Sequence, residues 1–167
     1  MIRARIRLAM SDDSLALAQM RYRFRAETGR VNETERVFVR RCSSWMKKHF
    51  RKVSSPWRCW VVESRKQLLG HVCVQLFEKI PNPVNERERH AYVSNCYVIP
   101  EMRNHGLGRR LLNKALSWCR ARDVDAVILW PSRASKSLYR RCGFAFSDIL
   151  ELRDGAVRAR FRHRPKV

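Results

Sequence analysis

Acidic residues are scarce in this sequence: 15 aspartates and glutamates stand against 36 lysines and arginines, and the formal net charge is +21. A chain this basic attracts phosphates, nucleic acid or acidic surfaces. An arginine-rich surface that is simply solvated gives the same composition. The charge therefore points toward anionic partners without naming one.

Long apolar runs are also missing. The first ten residues alternate apolar side chains with Arg3, Arg5 and Arg7, so they lack the uninterrupted apolar stretch of a secretory signal. No segment approaches the run of roughly 18–20 apolar residues that crosses a bilayer. We expect a soluble, cytoplasmic protein with no membrane partner.

Closely paired cysteines are absent as well. None of the six cysteines forms a C-x-x-C pair, the spacing typical of zinc and thiol-redox motifs, so we expect no metal site. Most of them lie in apolar segments, where cysteine behaves as a small hydrophobic residue. We expect free thiols at Cys42, Cys59, Cys73, Cys96, Cys119 and Cys142.

The first third of the chain has the pattern of one strand and two helices. Residues 2–8 alternate apolar and basic side chains and predict a strand with one buried face. Ser11 and Asp12 can cap a helix that ends at Gly29. A second helix is predicted over about residues 33–52. Its proposed buried positions are Val37, Phe38, Trp45 and Met46.

After Pro56 the pattern changes to strands. The segments "WRCWVVE" and "LLGHVCVQLFEKI" predict a hairpin that turns at residues 65–67. A loop rich in proline and charge follows. "AYVSNCYVI" then predicts a further strand, which Pro100 closes.

The last part of the chain returns to alternating helices and strands. A helix over 109–122 carries one apolar face, formed by Leu111, Leu112, Ala115, Leu116 and Cys119. "AVILW", residues 126–130, predicts a strand buried on both faces, as in a parallel pair. Ser132 can cap a short helix that stops at Gly143, and "FAFSDILEL" predicts a returning strand. Residues 153–167 are predicted as either an edge strand or a basic end.

This order of elements indicates one α/β domain over residues 1–167, of the α+β type. Its sheet is mostly antiparallel, and a parallel β-α-β unit lies near the end.

A turn with an arginine and two glycines joins the strand before Pro100 to the next helix. The first amides of a helix have no internal partner, and the helix dipole is positive there, so this position binds anions. Gly106 and Gly108 let the backbone approach a ligand closely, and Arg103 adds charge. Because the turn lacks Gly-Lys-Ser/Thr and a third glycine at the dinucleotide spacing, it is neither a P-loop nor a Rossmann motif.

The segment "RNHGLG", residues 103–108, resembles the Arg/Gln-x-x-Gly-x-Gly/Ala motif of the GNAT superfamily of acyl-CoA-dependent N-acetyltransferases. "YVIPEMRNHGLGRRLL" resembles that family's fourth strand, pyrophosphate loop and third helix, and "SKSLYRRCGF" resembles its later "LY…GF" segment. The resemblance covers residues 91–146, which it makes the acyl-CoA-binding core. It implies a GNAT-like fold flanked by about four helices, with residues 1–56 supplying the first strand and the acceptor-side helices.

The resemblance also implies which residues hold acetyl-CoA, whose product is coenzyme A. In the family the turn's amides hold the pyrophosphate, and the preceding strand pairs with the pantetheine arm. A serine at 132 departs from the asparagine that relatives often place there, which leaves its role in doubt. The implied cofactor residues are Cys96, Tyr97, Val98, Arg103, Asn104, His105, Gly106, Leu107, Gly108, Arg109, Ser132 and Ser135.

For catalysis the resemblance implies that Tyr139 protonates the departing coenzyme A sulfur; a simple core aromatic is the alternative. The family's base is often a glutamate on the fourth strand, but "HAYVSNCYVI" has no carboxylate. His90 titrates near neutral pH and is the predicted base, with Glu88 and Glu101 as alternatives. A neutral amine needs no base. His71 and His105 are expected to face solvent or a hydrogen-bond partner.

The expected activity is acetyl transfer from acetyl-CoA to a primary amine. Because the chain has few acids for a polycation pocket, the acceptors considered are aminoacyl-tRNA, a ribosome-associated amine or a small neutral or anionic metabolite. One alternative is a nucleic-acid-binding module that contacts RNA or the ribosome through basic residues, including Arg21, Arg23 and Arg25. A non-catalytic acyl-CoA sensor is another. The protein is expected to be a monomer or homodimer.

Overall fold

The computed structural model describes residues 4–29, 31–52 and 54–149, so the predicted tail at 153–167 lies outside the described residues. Within these ranges, the chain forms five strands and four helices. They are β1 (Arg5–Leu8), α1 (Ser14–Glu27), α2 (Glu35–Phe50), β2 (Trp57–Ser64), β3 (Gln67–Glu78), β4 (Arg89–Val98), α3 (Leu107–Arg120), β5 (Ala126–Ile128) and α4 (Lys136–Arg141). Short 3-10 turns at Ser11–Asp13, Pro100–Met102 and Arg133–Ser135 precede α1, the 103–108 turn and α4.

The strands form one five-stranded sheet in chain order, β1-β2-β3-β4-β5. The first three pairings are antiparallel. The predicted hairpin between β2 and β3 is confirmed. Its turn places Arg65 and Lys66 at φ 48 and 65, which suits the right-handed twist of the two strands.

The final pairing, between β4 and β5, is parallel, with α3 as the crossover. This confirms the predicted β-α-β unit. The pairing begins at His90 with Ala126 and ends at Tyr92 with Ile128. Beyond Tyr92 the strands β4 and β5 are no longer paired, so a cleft opens along the second half of β4.

Each face of the sheet packs against its own helices. On one face α3 buries the whole predicted apolar set, from Leu111 to Cys119, against β2, β3 and β4. On the opposite face Leu17 of α1 and Met46 of α2 pack over Cys59, Val61 and Cys73. We call these the α3 face and the α1–α2 face.

Three expectations about individual segments are wrong. In α2, Val37 and Trp45 are each 41% exposed, because the buried stripe runs through Val39 and Met46 instead. The segment 126–130 is a strand only over Ala126–Ile128 and is half-buried, since it is the last strand of the described sheet. Residues 144–149 form no strand.

All six cysteines are free, and the sulfurs of Cys59 and Cys73 lie 3.1 Å apart on paired strands. Within the described ranges, no helix combines the length and apolar character needed to cross a membrane.

Candidate active site

A β-bulge interrupts β4 beside the cleft. The register of β3 and β4 shifts between His71, which faces Tyr97, and Cys73, which faces Ser94. Asn95 lies in this interval with φ 52, in the left-handed region that asparagine tolerates better than most residues. A bulge removes one residue from the ladder and turns the strand locally. Main-chain groups of β4 are therefore redirected where the strand has lost its β5 partner.

Gly70 of β3 lets the backbones meet closely at this point. A Cβ atom at residue 70 would lie 2.6 Å from the main-chain oxygen of Tyr97 and 3.1 Å from the Val98 side chain. Real Cβ contacts are not this short, and the obstructing atom is backbone, which cannot rotate away. A glycine at this position therefore fixes the end of β4 against β3.

The turn after β4 presents consecutive unpaired amides. Gly106 caps α3 with φ 76 and ψ 0, a left-handed conformation that glycine adopts without strain. Among the described residues, no main-chain carbonyl accepts a hydrogen bond from the amides of Asn104 through Arg109. Buried Leu107 anchors the turn from below. Free donors and a positive helix end at one place are the features that suit a turn to binding an anion.

The start of α3 lies beside both α4 and the end of β4. A Cβ atom at Gly108 would lie 3.5 Å from the Leu138 side chain and 3.9 Å from that of Val98. The predicted anion site, the second half of β4 and the helix that carries Tyr139 therefore adjoin one another, although they are distant in sequence.

Tyr139 reaches across the cleft to β4. Its phenol lies close enough to the Cys96 thiol and to the Ser135 side chain for each to influence its ionisation. Burial, followed by the influence of Cys96, raises the pKa of Tyr139 above its ordinary value. Burial likewise raises the pKa of the Cys96 thiol to about 12. Both groups hold their protons at neutral pH, so Tyr139 is available as a proton donor.

The Arg103 side chain points away from the free amides. Its Nε donates to the Val98 carbonyl at 3.0 Å, and its Nη2 lies 2.6 Å from Oε2 of Glu27. The Tyr97 hydroxyl donates to the other carboxylate oxygen at 2.7 Å. Burial opposes ionisation of Glu27, but these two hydrogen bonds outweigh it and lower the pKa of Glu27. Arg103 therefore joins the turn to the end of α1.

Ser132, His105 and Arg109 are exposed. Ser132 stands at the N-cap position of the turn before α4, but its hydroxyl makes no capping hydrogen bond to the backbone and lies instead 2.8 Å from that of Ser135. His105 Nδ1 contacts the Arg103 carbonyl at 2.7 Å, which confirms the expectation of an exposed or partnered histidine. Arg109 lies in the first turn of α3.

The residues considered as bases do not gather near Tyr139. His90 lies at the opposite end of β4 from Cys96, on the order of 20 Å away along an extended strand, with its ring against Phe77 at 5.6 Å. Glu88 lies just before that strand and accepts a hydrogen bond from the Asn82 amide. Glu101 is exposed in the turn after β4.

The expectation for His71 is wrong. Its side chain is 0% exposed and, among the described residues, neither ring nitrogen has a hydrogen-bond partner. Burial, and secondarily the charge of Arg21, lowers the pKa of His71 to about 3. The imidazole is therefore neutral at physiological pH.

Sequence reasoning missed one contact at the bulge. The Arg21 guanidinium of α1 donates through Nη1 to Oδ1 of Asn95. No local signal indicates this pair, because the two residues are separated by 74 positions.

Comparison with known proteins identifies the family to which this arrangement corresponds. The model of the Acetyltransferase (GNAT) family matches residues 19–144. A search of curated protein sequences gives no match.

Solved structures share the fold at low sequence identity. A protein from Clostridium acetobutylicum, described as a predicted acetyltransferase with acetyl-CoA, has a TM-score of 0.77 at 20% identity, over 90% of this chain and 96% of its own. A GCN5-related N-acetyltransferase from Ralstonia eutropha JMP134 has a TM-score of 0.77 at 22% identity, over 90% and 98%. Glucosamine-6-phosphate N-acetyltransferase from Arabidopsis thaliana has a TM-score of 0.65 at 17% identity, over 90% and 97%.

Proposed function

The chain belongs to the GNAT family of acetyltransferases, and from that premise we propose that it transfers the acetyl group of acetyl-CoA to a primary amine. The turn at 103–108 and the second half of β4 form the cofactor side. The α1–α2 face forms the side from which the amine enters.

The hydrogen-bond donors and the charge of the described residues suit the chemical groups of coenzyme A. The free amides from Asn104 to Arg109 are suited to a pyrophosphate, since main-chain donors at a helix start bind anions without a full counter-charge. Arg109 adds a full charge in the same turn. Cys96, Tyr97 and Val98 lie beyond the last β4–β5 pair, so the edge of β4 that β5 leaves open is available to the pantetheine arm, although the Val98 carbonyl already accepts a hydrogen bond from Arg103. Ser132 and Ser135 border this region.

Acetyl-CoA supplies an activated acetyl thioester, and the protein's residues act on either side of it. The main chain at the Asn95 bulge is positioned to donate to the carbonyl oxygen as negative charge develops there. Tyr139 gives its proton to the leaving sulfur when the bond between sulfur and carbon breaks and the bond from nitrogen to carbon forms. Ser135, which lies close enough to influence the ionisation of Tyr139, orients the phenol.

The proton from the attacking amine goes to water in this proposal. His90 stays a prediction as a base, and its place at the far end of β4 favours the solvent route. An amine that binds in its neutral form needs no protein base.

One observation supports this proposal most: the unpaired amides of the turn and the protonated Tyr139 flank the same half of β4. The test measures coenzyme A binding by calorimetry and thiol release from acetyl-CoA with a panel of amines. We expect Tyr139→Phe to bind coenzyme A normally and to lower kcat by about 100-fold or more, as loss of an acid catalyst does.

Tyr22→Phe is the matched control. It removes the same hydroxyl from another half-buried tyrosine, whose hydrogen bond to the Glu33 carbonyl lies in the α1–α2 layer. This variant should keep wild-type kcat. Coenzyme A binding without thiol release would favour an acyl-CoA sensor. No coenzyme A binding, combined with salt-sensitive RNA binding, would favour the nucleic-acid module.

A further inference from the structure

Arg21 places a positive charge on the acceptor side of the bulge. It lies on α1, donates to the side chain of Asn95, and is half-buried but still accessible to solutes. Asn95 lies at the point where β4 leaves its ladder. The guanidinium is therefore next to the part of β4 to which the thioester is assigned, on the opposite face from α3.

No acid of the described residues neutralises this charge. Among them, no carboxylate lies within 4.0 Å of the Arg21 guanidinium, whereas Arg7, Arg41 and Arg103 each have a carboxylate partner. Glu27, the acid at the end of the same helix, is already engaged by Arg103 and Tyr97. A guanidinium held partly out of water with one neutral partner is incompletely compensated.

A second unsatisfied group lies on the same face. His71 of β3 is fully buried, and neither ring nitrogen is hydrogen bonded within the described part of the chain. It pairs with Tyr97 across the strands, immediately before the bulge. Buried polar groups are hydrogen bonded in the great majority of native structures. His71 is an exception to this rule, and Arg21 on the same side of the bulge has no carboxylate partner among the described residues, so the described chain does not complete the interactions at this place.

We propose that the acceptor amine carries an anionic group, a carboxylate or a phosphate, which binds Arg21. This inference rests on the proposed acetyl transfer. It narrows the acceptor to small anionic amines, such as amino acids or amino-alcohol phosphates, and argues against polycations. A guanidinium binds either anion through two parallel hydrogen bonds, so it both attracts and orients the acceptor.

The position of Arg21 is suited to this role. The proposed cofactor site adjoins the start of α3, so in this proposal the amine approaches from the α1–α2 face. An anion on Arg21 would hold the amine beside the bulge while Asn95 fixes the guanidinium. Arg23 adds a further positive charge near Tyr97 on the same side, where Arg103 is paired with Glu27.

The experiment compares matched acceptors with wild-type and variant protein. Thiol release is measured with glycine against glycinamide, and with O-phosphoethanolamine against ethanolamine. The neutral partner has the less basic amine in each pair, so amine reactivity alone favours it. We expect at least one anionic amine to exceed its partner in kcat/KM by about tenfold or more, the value of a charge-assisted hydrogen bond. The pair that shows the preference distinguishes carboxylate from phosphate.

Arg21→Gln should abolish this preference by raising KM for the anionic amine about tenfold or more, without changing coenzyme A affinity. Arg120→Gln is the control for net charge, because Arg120 is the exposed last residue of α3. It should keep the preference. In 15N spectra of the coenzyme A-saturated protein, adding the preferred amine should shift the Arg21 Nε resonance.

Three outcomes would overturn the inference while leaving acetyl transfer intact. The first is that the neutral amines are acetylated with the same kcat/KM as their anionic partners. The second is that the preference for the anionic amine remains in Arg21→Gln. The third is normal coenzyme A binding with no anionic amine acetylated and no shift of the Arg21 resonance. If the wild-type protein does not bind coenzyme A, the proposed function itself is refuted.

Discussion

The two faces of the sheet are built differently. On the α3 face the groups assigned to the cofactor are main-chain atoms of neighbouring residues, the amides from Asn104 to Arg109, supported by buried leucines. On the α1–α2 face the polar contacts join side chains far apart in sequence. Arg21 meets Asn95 across 74 positions, and Tyr97 meets Glu27 across 70.

This difference separates a main-chain binding element, which many sequences can build, from side-chain recognition, which depends on particular residues. A pyrophosphate loop made of amides needs only a backbone path, so it depends on a few glycines and on a well-packed helix. Recognition of an acceptor depends on side-chain chemistry. The α3 face should therefore respond to changes in packing and backbone conformation, and the α1–α2 face to changes in charge.

The largest effect is expected from the packing of the two faces. Leu111 on the α3 face and Leu17 on the α1–α2 face are both 0% exposed. Leucine-to-alanine changes at such sites lower the free energy of unfolding by about 2–5 kcal/mol. We expect Leu111→Ala to have the larger effect, because it opens the larger of the two buried clusters. Urea unfolding of both variants checks this order, and a larger loss at Leu17 would contradict it.

The sequence was sufficient for the α3 face because its signals are local. The apolar spacing from Leu111 to Cys119 predicts the buried side of α3, and the structure buries every one of these residues. The glycines at 106 and 108 predict a free-amide turn. The order of strands and helices predicts a mixed sheet with one parallel pair, which the structure confirms.

The remaining features depend on the tertiary structure. The bulge at Asn95 arises from the register of two strands, which no pattern within β4 specifies. Gly70 is required by the Tyr97 carbonyl on another strand. His71 is polar, so an exposed or partnered site was the natural expectation, yet its strand is central in the sheet and buries it. Arg21 belongs to a run of similar arginines on α1, and only the fold selects it.

Two glycine variants should have a smaller effect on stability, and comparing them separates the cost of backbone strain from the effect on cofactor binding. Gly106 and Gly29 both have positive φ, 76 and 63, with no atom within 4 Å of an added Cβ. Alanine at either position is strained by about 1–2 kcal/mol, so both variants should lose similar unfolding free energy. Only Gly106→Ala should weaken coenzyme A binding, by about tenfold, because it redirects amides that we propose bind the pyrophosphate.

Calorimetric titration of both variants with coenzyme A checks this expectation. Equal affinities in the two variants would mean that the turn at 103–108 does not hold the pyrophosphate, whatever their stabilities.

The smallest effect is expected from the Glu27–Arg103 pair, which joins the two faces. Both side chains are substantially exposed, at 36% and 43%, so Glu27→Gln should cost only about 0.2–1 kcal/mol at neutral pH. Because folding lowers the pKa of Glu27, its contribution is complete above the unfolded value of about 4.3 and is lost as the pH falls through the folded pKa. The difference in unfolding free energy between wild type and Glu27→Gln should therefore shrink on acidification. If Glu27→Gln still has a lower free energy of unfolding than wild type below the folded pKa of Glu27, the introduced amide itself disturbs the Tyr97 hydrogen bond. In that case hydrogen-bond geometry, and not charge, joins the two faces.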